Sequence, residues 1–319
     1  MIVLGVESSC DETAVAILKD GKEVLANVVY TQIDIHKEFG GVIPEVASRH
    51  HVRKITYVFE QALKEANLEP SQIDLVAVTC KPGLIGSLLV GINAAKAFAL
   101  ANHIKYVEVD HIVGHIYANY IEKDFNFPML ALVVSGGHTE LLLMKDHYQF
   151  ELLGETLDDA VGEAYDKVGR VLDLQYPAGA KVDNLSAIGK PTYPLPLVYL
   201  DKDSYNFSLS GLKSAVINTV NKCKMKNEEI NKADLACSFQ TSVIKVLVDK
   251  TIKAAKENNI KQIVVAGGVA ANKGLRTALT NAVNELPNVI LSFPQMKYCT
   301  DNAAMIAVAG YFKYLLKAV

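Results

Sequence analysis

Short apolar runs rich in β-branched residues alternate along the chain with longer segments of helical periodicity, which predicts an α/β protein. Near the N-terminus, residues 2–8 and 13–18 predict a β-hairpin, and residues 24–30 predict a third strand. Residues 44–66, which Pro44 opens, have the pattern of a helix.

The same alternation continues to the end of the chain. We expect strands at residues 73–79 and 106–110 and within the hairpin 129–144, and a strand, a Gly-rich turn and a helix within residues 260–279. The expected helices cover residues 86–101, a segment beginning near His111, residues 158–173, 208–219 and 232–258, and a last segment after Asp301.

The hairpin at residues 129–144 resembles the opening hairpin in layout, since both have a strand, a small polar turn and a second strand. We therefore expect a duplicated domain, with residues 1–110 and the last helix, 303–319, in one lobe and residues 111–302 in the other. The alternative is that any α/β protein contains several such hairpins.

Composition agrees with a globular protein of about two lobes, because half of the 319 residues are apolar. The chain has 32 basic and 35 acidic residues, and its net charge of -3 provides no overall field that would attract a polyanion. A nucleic-acid partner would need a local basic patch, for which Arg49, Arg53 and Lys54 are candidates, or help from other subunits. A solvated helix surface is the alternative for this cluster.

The five cysteines are scattered without a C-x-x-C pair, which favours a reducing compartment and hence the cytoplasm. The N-terminus has no basic leader or cleavage site, so we expect no signal peptide. Asn93 and Lys96 interrupt the longest apolar run, residues 84–101, which predicts a buried helix and no membrane span.

Two Gly-rich turns are candidates for binding a nucleotide. The turn at Gly136 and Gly137 leaves backbone N-H groups open to a phosphate, and the turn at Gly267 and Gly268 joins a strand to a helix N-terminus, which favours an anion. Neither matches a Walker loop or a G-x-G-x-x-G fingerprint, and each could be a plain connecting turn.

His111 and His115 lie four residues apart and so occupy one helix face, where they can bind a single ion. Asp110 is a natural N-cap, and the helix dipole disfavours protonated imidazole in the first turn. With Asp301 as a third ligand, coordination positions would stay open, which suits a catalytic Fe(II) or Zn(II). The alternative is a pair of half-exposed helix histidines.

A metallopeptidase of the H-E-x-x-H type would need a glutamate directly after the first histidine, as a general base for the metal-bound water. Ile112 occupies that place, which argues against peptide hydrolysis, although Glu12 or Glu140 could supply a base from elsewhere in the sequence.

Eight motifs resemble, in order and over nearly the whole chain, the bacterial TsaD family of tRNA N6-adenosine threonylcarbamoyltransferases. They are ESSCDETA, GGVIPEVASRHH, HIVGH, VVSGGHTEL, LDDAVGEAYDKVGRVL, YPAGAKVD, AGGVAANKGLR and CTDNAAMIA. The resemblance implies the two-lobed fold of actin, Hsp70 and sugar kinases, with duplicated ribonuclease-H-like lobes and the metal and nucleotide site in the cleft between them. It also implies transfer of threonylcarbamoyl from threonylcarbamoyl-adenylate to the N6 amine of the adenosine 3′ of the anticodon, in tRNAs that read codons beginning with A, with release of AMP.

Carried over residue by residue, the resemblance makes His111, His115 and Asp301 ligands of one divalent metal per subunit, Fe(2+) or alternatively Zn(2+), and Asp11 a catalytic group. The residues implied to bind the adenylate are Val134, Ser135, Gly136, Gly137, His138, Asp166, Gly179, Asp183 and Asn272. Two departures stand out. Val133-Val134 replaces a tyrosine ligand of archaeal and eukaryotic relatives, and Ala178 stands where the family often has a second glycine.

The implied partners are tRNA, a TsaB-like paralogous subunit and a TsaE-like P-loop ATPase, in the cytoplasm and without a membrane. The competing classes are an ATP-dependent phosphotransferase of the same fold and a metallopeptidase. The two histidines and the aspartate discriminate between the classes, because a phosphotransferase using Mg²⁺ would not need these three ligands.

Overall fold

The computed structural model describes residues 1–200 and 204–317. Its contacts divide the chain into two units, of which the first contains Met1–Asp124 and the chain from Pro294 onward, and the second contains Phe125–Phe293. Residues 111–124 and 294–302 therefore belong to the first unit, whereas we had expected them in the second lobe. All five strands of the first sheet pack against the last helix, and this brings the preceding loop into the same unit.

Each unit contains one five-stranded sheet. The strands, in chain order, are β1 Ile2–Glu7, β2 Glu12–Lys19, β3 Glu23–Thr31, β4 Leu75–Lys81, β5 Lys105–Asp110, β6 Met129–Val134, β7 Thr139–Asp146, β8 Gln149–Glu155, β9 Gln262–Ala266 and β10 Ile290–Ser292. The first sheet has the order β3-β2-β1-β4-β5 and the second has the order β10-β9-β6-β7-β8.

In each sheet, a three-stranded antiparallel meander is extended by two parallel strands that pair next to the first strand of the meander. The order is the same in both units when each is numbered from its own first strand. The duplication that the two hairpins predicted is therefore confirmed.

The α-helices, in chain order, are α1 Ile33–Lys37, α2 Pro44–Ala66, α3 Ile85–Ala101, α4 His111–Tyr117, α5 Val161–Val171, α6 Gly179–Ser186, α7 Ser210–Lys226, α8 Lys232–Glu257, α9 Lys273–Val283 and α10 Ala303–Lys317. The predicted helix at residues 44–66 has the predicted bounds. Helix α5 begins three residues later than predicted, because the Asp158 carboxylate instead accepts hydrogen bonds from Ser208, Leu209 and Ser210 at the start of α7.

The core of the first unit lies on both faces of its sheet. On one face, Val6, Ile17 and Val78 pack with Phe59 of α2 and Ala95 of α3. On the other face, α10 approaches the sheet closely, and a Cβ at Gly5 would lie 2.3 Å from the backbone oxygen of Ala303. A side chain at this position of β1 would therefore separate the last helix from the sheet.

Within residues 1–200 and 204–317, no helix is both long enough and apolar enough to cross a membrane.

Candidate functional site

The two histidines belong to the short helix that follows β5. The carboxylate of Asp110 accepts hydrogen bonds from the backbone N-H groups of Ile112 and Val113, so it is the predicted N-cap. One turn of α4 separates His111 from His115, and their rings meet edge to face with centroids 4.6 Å apart. Both side chains are buried, so the pair is not a half-exposed surface feature.

Asp301 comes to these rings from the loop before α10. Its Oδ1 lies 3.1 Å from Nε2 of His115 and 3.5 Å from Nε2 of His111. One potential ligand atom from each of the three residues lies within 4.8 Å of the others. Two imidazole nitrogens and one carboxylate oxygen that converge in this way fit a divalent transition metal and leave part of its coordination shell to other ligands.

Glu7, the last residue of β1, contacts His111 on the ring nitrogen that faces away from Asp301. Its Oε2 lies 3.0 Å from Nδ1 of His111, and its carboxylate also accepts hydrogen bonds from the Ser9 backbone N-H and the Thr79 hydroxyl. A carboxylate on one ring nitrogen fixes the tautomer that presents the lone pair of the other nitrogen to a metal. The sequence analysis missed Glu7, although an acidic residue that ends an apolar strand was a usable signal.

Charge in this group is concentrated and buried. Burial lowers the pKa of His111, but Asp301 and Glu7 raise it by more, so the pKa is well above its ordinary value. Burial raises the pKa of Asp301, and His111 and His115 reverse this, so the pKa is well below its ordinary value. The helix dipole disfavours protonated imidazole in the first turn, and the two nearby carboxylates act on His111 in the opposite direction.

Asp11 lies in the β1–β2 turn and is 8% exposed. Burial raises the pKa of the neighbouring Glu12 well above its ordinary value, and the charges of Asp301 and Asp11 raise it further. The turn thus belongs to the same electrostatic cluster as the three candidate ligands. The Oε1 of Glu12 accepts a hydrogen bond from the Thr31 hydroxyl.

The corresponding turn of the second unit, between β6 and β7, is small and open. The Ser135 backbone N-H donates to the carbonyl of His138, and the His138 backbone N-H donates to the Ser135 hydroxyl. A Cβ at Gly136 or Gly137 would meet no described atom within 4 Å. The backbone of this turn is therefore accessible to a ligand such as a phosphate group.

The second predicted Gly-rich turn lies beside the first. Gly267 has φ +91°, and a Cβ there would lie 2.4 Å from the carbonyl oxygen of Val134, the last residue of β6. Gly268, the next residue, has open space where its side chain would be. The structure therefore brings together two turns that lie far apart in the sequence. Binding of one nucleotide by both turns requires them to be close to each other.

The other predicted adenylate residues hold the starts of two helices in the second unit. The Asp166 carboxylate accepts a hydrogen bond from the Ala178 backbone N-H just before α6, whose first residue is Gly179. Asn272 caps α9 through the Leu275 N-H, and Asp183 accepts from the Lys273 N-H at the same end. Asp183 and Asn272 therefore meet at one helix N-terminus.

Comparison with known proteins identifies the family of this chain. The sequence model of TsaD, tRNA N6-adenosine threonylcarbamoyltransferase, matches residues 23–308. The tRNA N6-adenosine threonylcarbamoyltransferase of Staphylococcus saprophyticus subsp. saprophyticus is 59% identical over 317 residues, which are 99% of this chain and 92% of that protein. The chain belongs to the TsaD family.

The fold of this TsaD-family chain is similar to that of other proteins with solved structures. HypF from T. kodakarensis is 14% identical, with a TM-score of 0.66 over 99% of this chain and 48% of that chain. The ROK hexokinase of Thermus thermophilus is also 14% identical, with a TM-score of 0.50 over 100% of this chain and 99% of that chain. The predicted actin and sugar-kinase class of α/β fold is confirmed.

The structure shows what surrounds the two positions at which the sequence departs from the family pattern. Val133 and Val134 are fully buried in β6, and their apolar side chains offer no ligand atom to a metal. Ala178 is also buried, and a Cβ at Gly169 would lie 2.2 Å from its methyl group. Gly169 of this TsaD-family chain therefore makes room for the methyl group that replaces the family's glycine.

Proposed function

We propose that this chain transfers the threonylcarbamoyl group from threonylcarbamoyl-adenylate to tRNA. The acceptor is the N6 amine of the adenosine 3′ of the anticodon in tRNAs that read codons beginning with A, and the products are N6-threonylcarbamoyladenosine and AMP. The observation that carries this proposal is the convergence of His111, His115 and Asp301, backed by Glu7, in a TsaD-family chain.

His111, His115 and Asp301 would hold one divalent metal, Fe(2+) in our proposal and Zn(2+) as the alternative. The mixed nitrogen and oxygen donor set accepts either ion. When bound, the ion supplies Lewis acidity for the carbamoyl oxygen or binds the threonyl carboxylate of the donor. Glu7 keeps His111 oriented, and the two histidines hold the pKa of the half-buried Asp301 well below its ordinary value, which favours a carboxylate ligand.

The second unit would hold the donor by its AMP portion. In the open turn formed by Val134, Ser135, Gly136, Gly137 and His138, the backbone N-H groups of Gly136 and Gly137 are offered to the phosphate and the acyl group, because those of Ser135 and His138 bond within the turn. The adenosine would be held by Asp166, Gly179, Asp183 and Asn272, which gather at the starts of α6 and α9.

Asp11 would accept the proton of the attacking amine. The N6 lone pair forms the new bond to the carbamoyl carbon, the bond from that carbon to the phosphate oxygen breaks, and AMP leaves with the bonding electrons. The amine then loses a proton to the Asp11 carboxylate. Asp11 is buried in the β1–β2 turn, and the neighbouring Glu12 lies in the same electrostatic cluster as Asp301.

The partners in this proposal are tRNA, a TsaB-like subunit and a TsaE-like P-loop ATPase, and the compartment is the cytoplasm. A near-neutral chain that handles a polyanion benefits from sharing it with other subunits. Exposed apolar side chains on α2 and α3 are suited to pairing with the TsaB-like subunit. They are Val52, Tyr57, Ile85 and Leu89.

The test is nucleoside mass spectrometry on unmodified tRNA that reads codons beginning with A, after incubation with this chain, the adenylate donor and the partner subunits. We expect N6-threonylcarbamoyladenosine to form, and a chelator to abolish its formation. Absence of the product, while the same partners remain active with a related TsaD enzyme, would contradict the proposal and favour the phosphotransferase alternative.

A further inference from the structure

Gln240, on α8 in the second unit, joins the candidate adenosine residues into one network. Its side-chain amide lies between Asp183 and Asn272 and is 7% exposed. Nothing in the sequence marks it, since it is one of many polar residues on a 26-residue helix. Its four hydrogen-bonding contacts, however, use the full capacity of a side-chain amide.

The nitrogen end of the amide donates to two acceptors. Nε2 lies 2.9 Å from Oδ1 of Asp183 and 2.6 Å from the Ser186 hydroxyl oxygen. The oxygen end accepts from the Tyr165 hydroxyl at 3.0 Å and from Nδ2 of Asn272 at 2.9 Å. The orientation of the amide follows from Asn272, whose Oδ1 accepts from the Leu275 N-H, so that its Nδ2 faces Gln240 and requires the oxygen end of the amide.

This orientation of the Gln240 amide determines which polar atoms of Asp183 and Asn272 remain available for a hydrogen bond to a ligand. Oδ1 of Asp183 accepts from Gln240 and, at 3.4 Å, from the Gly274 backbone N-H, whereas Oδ2 accepts only the Lys273 N-H among its described hydrogen bonds. Asn272 turns Nδ2 to Gln240 and Oδ1 to the Leu275 N-H. The accepting capacity that remains is on Oδ2 of Asp183, which suits a ribose hydroxyl.

Gly274 provides independent support for this arrangement. A Cβ at Gly274 would lie 2.7 Å from Nε2 of Gln240 and 3.3 Å from Oδ1 of Asn272. The start of α9 therefore leaves room for the Gln240 amide, at a helical position where glycine is otherwise unfavourable compared with alanine.

We infer that Gln240 is a positioning residue that holds the Asp183 carboxylate so that its Oδ2 accepts a ribose hydroxyl of the adenosine nucleotide. This inference rests on the proposed function, in which Asp183 binds the adenosine. Gln240 itself does not touch the ligand, and its effect passes through Asp183 and Asn272.

The experiment compares AMP with 2′-deoxy-AMP and 3′-deoxy-AMP as ligands of the full chain by calorimetry. In the wild type, one deoxy analogue should bind roughly tenfold more weakly, because a hydrogen bond to a charged group is lost. In Gln240→Met, which is apolar and of similar length, this ratio should fall to about threefold or less. Thr241→Ala, at the exposed neighbouring position, should keep the wild-type ratio.

A second variant covers the case in which Gln240→Met does not fold, as thermal melting would reveal. Gly274→Ala keeps every polar group but displaces the Gln240 amide, and alanine favours the helix. The ribose discrimination should fall here as well. A merely structural defect would instead lower the affinity for all three nucleotides equally and leave their ratio unchanged.

The outcomes separate the two proposals. If Asp183→Ala abolishes the discrimination but Gln240→Met and Gly274→Ala retain it, Gln240 does not position Asp183 and the inference is wrong. If the wild type binds AMP and both deoxy analogues equally, or does not bind AMP, the adenosine role of Asp183 in the proposed function fails as well.

Discussion

The turns after β1 and β6 occupy the same place in two sheets of the same topology, yet they have opposite chemistry. In the first unit, the strand ends in the buried acid Glu7, and Asp11 in the following turn is also buried. In the second unit, the strand ends in the apolar Val134, and Gly136 and Gly137 follow with open space where their side chains would be. The turn after β1 therefore has acidic side chains, whereas the turn after β6 has a backbone that no side chain covers at its two glycines.

In the proposed function, this difference assigns different tasks to the two turns. Carboxylates next to histidines favour a cation, whereas unobstructed backbone N-H groups favour an anion. The topology sets where the turn lies, and a few residues in it decide which charge it can bind. Each of the following experiments changes one side of the comparison.

The largest expected effect is on the cation-binding side. His111→Ala removes one of three ligands and should reduce metal binding from about one ion per chain to none at micromolar free metal, and threonylcarbamoyl transfer should be lost with it. Elemental analysis and the tRNA assay measure the two effects. His50→Ala on α2, outside the triad, is the control and should retain both, and an unchanged metal content in His111→Ala would remove this residue from the site.

Glu7→Gln tests the support behind the ligands. The substitution nearly preserves shape but weakens the acceptor for Nδ1 of His111, and we expect metal affinity to fall about 10- to 100-fold. Competition with a chelating dye measures this affinity independently of catalysis. Glu23→Gln, on the exposed start of β3, should bind metal like the wild type. Equal affinities in all three proteins would mean that Glu7 does not orient His111.

Gly136→Ala tests the anion-binding side. The added methyl group meets no described atom, so the free energy of unfolding should change by less than about 0.5 kcal/mol. The same methyl group would obstruct the approach of a phosphate, and donor affinity should fall about tenfold. Gly41→Ala, equally open but in the first unit, is the control for binding and for stability. Unchanged donor binding in Gly136→Ala would argue against a phosphate at this turn.

The smallest effect concerns His51, which packs behind the β1–β2 turn. Burial lowers its pKa, and in the neutral form Nδ1 accepts from Thr13 while Nε2 donates to the Cys10 carbonyl. Below pH about 6.5 the unfolded chain binds a proton here that the folded chain resists, so stability falls as pH falls, by at most about 1.4 kcal/mol per pH unit.

Urea unfolding of the wild type and His51→Gln between pH 7.5 and 5 measures this contribution. The variant should have the shallower decline, and Ser48→Ala on the same helix should keep the wild-type slope. Parallel declines in wild type and His51→Gln would show that His51 is not the group responsible.

Elements and sites with a regular sequence pattern were predictable from the sequence, whereas residues whose role depends on distant partners were not. The three strands of the first meander, the first two strands of the second and helix α2 follow from periodicity, whereas β8, the third strand of the second meander, was not predicted. The candidate site at His111, His115 and Asp301 follows from helical spacing and a converging loop. The short strand β10 and the short helix α6 were missed, because three and eight residues carry little periodic signal.

Glu7 and Gln240 were missed for a different reason. Their importance comes from partners that are distant in sequence, as Glu7 meets His111 across 104 positions and Gln240 meets Asp183 across 57. The boundary between the units was misplaced for a related reason, since only packing shows that the chain from Pro294 returns to the first sheet.

The return of the chain from Pro294 to the first unit imposes an order on biosynthesis. The ribosome delivers His111 and His115 early, but Asp301 and α10 emerge only after the whole of Phe125–Phe293 has been made. The second unit is continuous in sequence and can assemble cotranslationally, while the first sheet waits with one face uncovered. The three candidate ligands are therefore complete only after Phe125–Phe293 has been synthesised, and a truncated chain released before Asp301 would lack one of them.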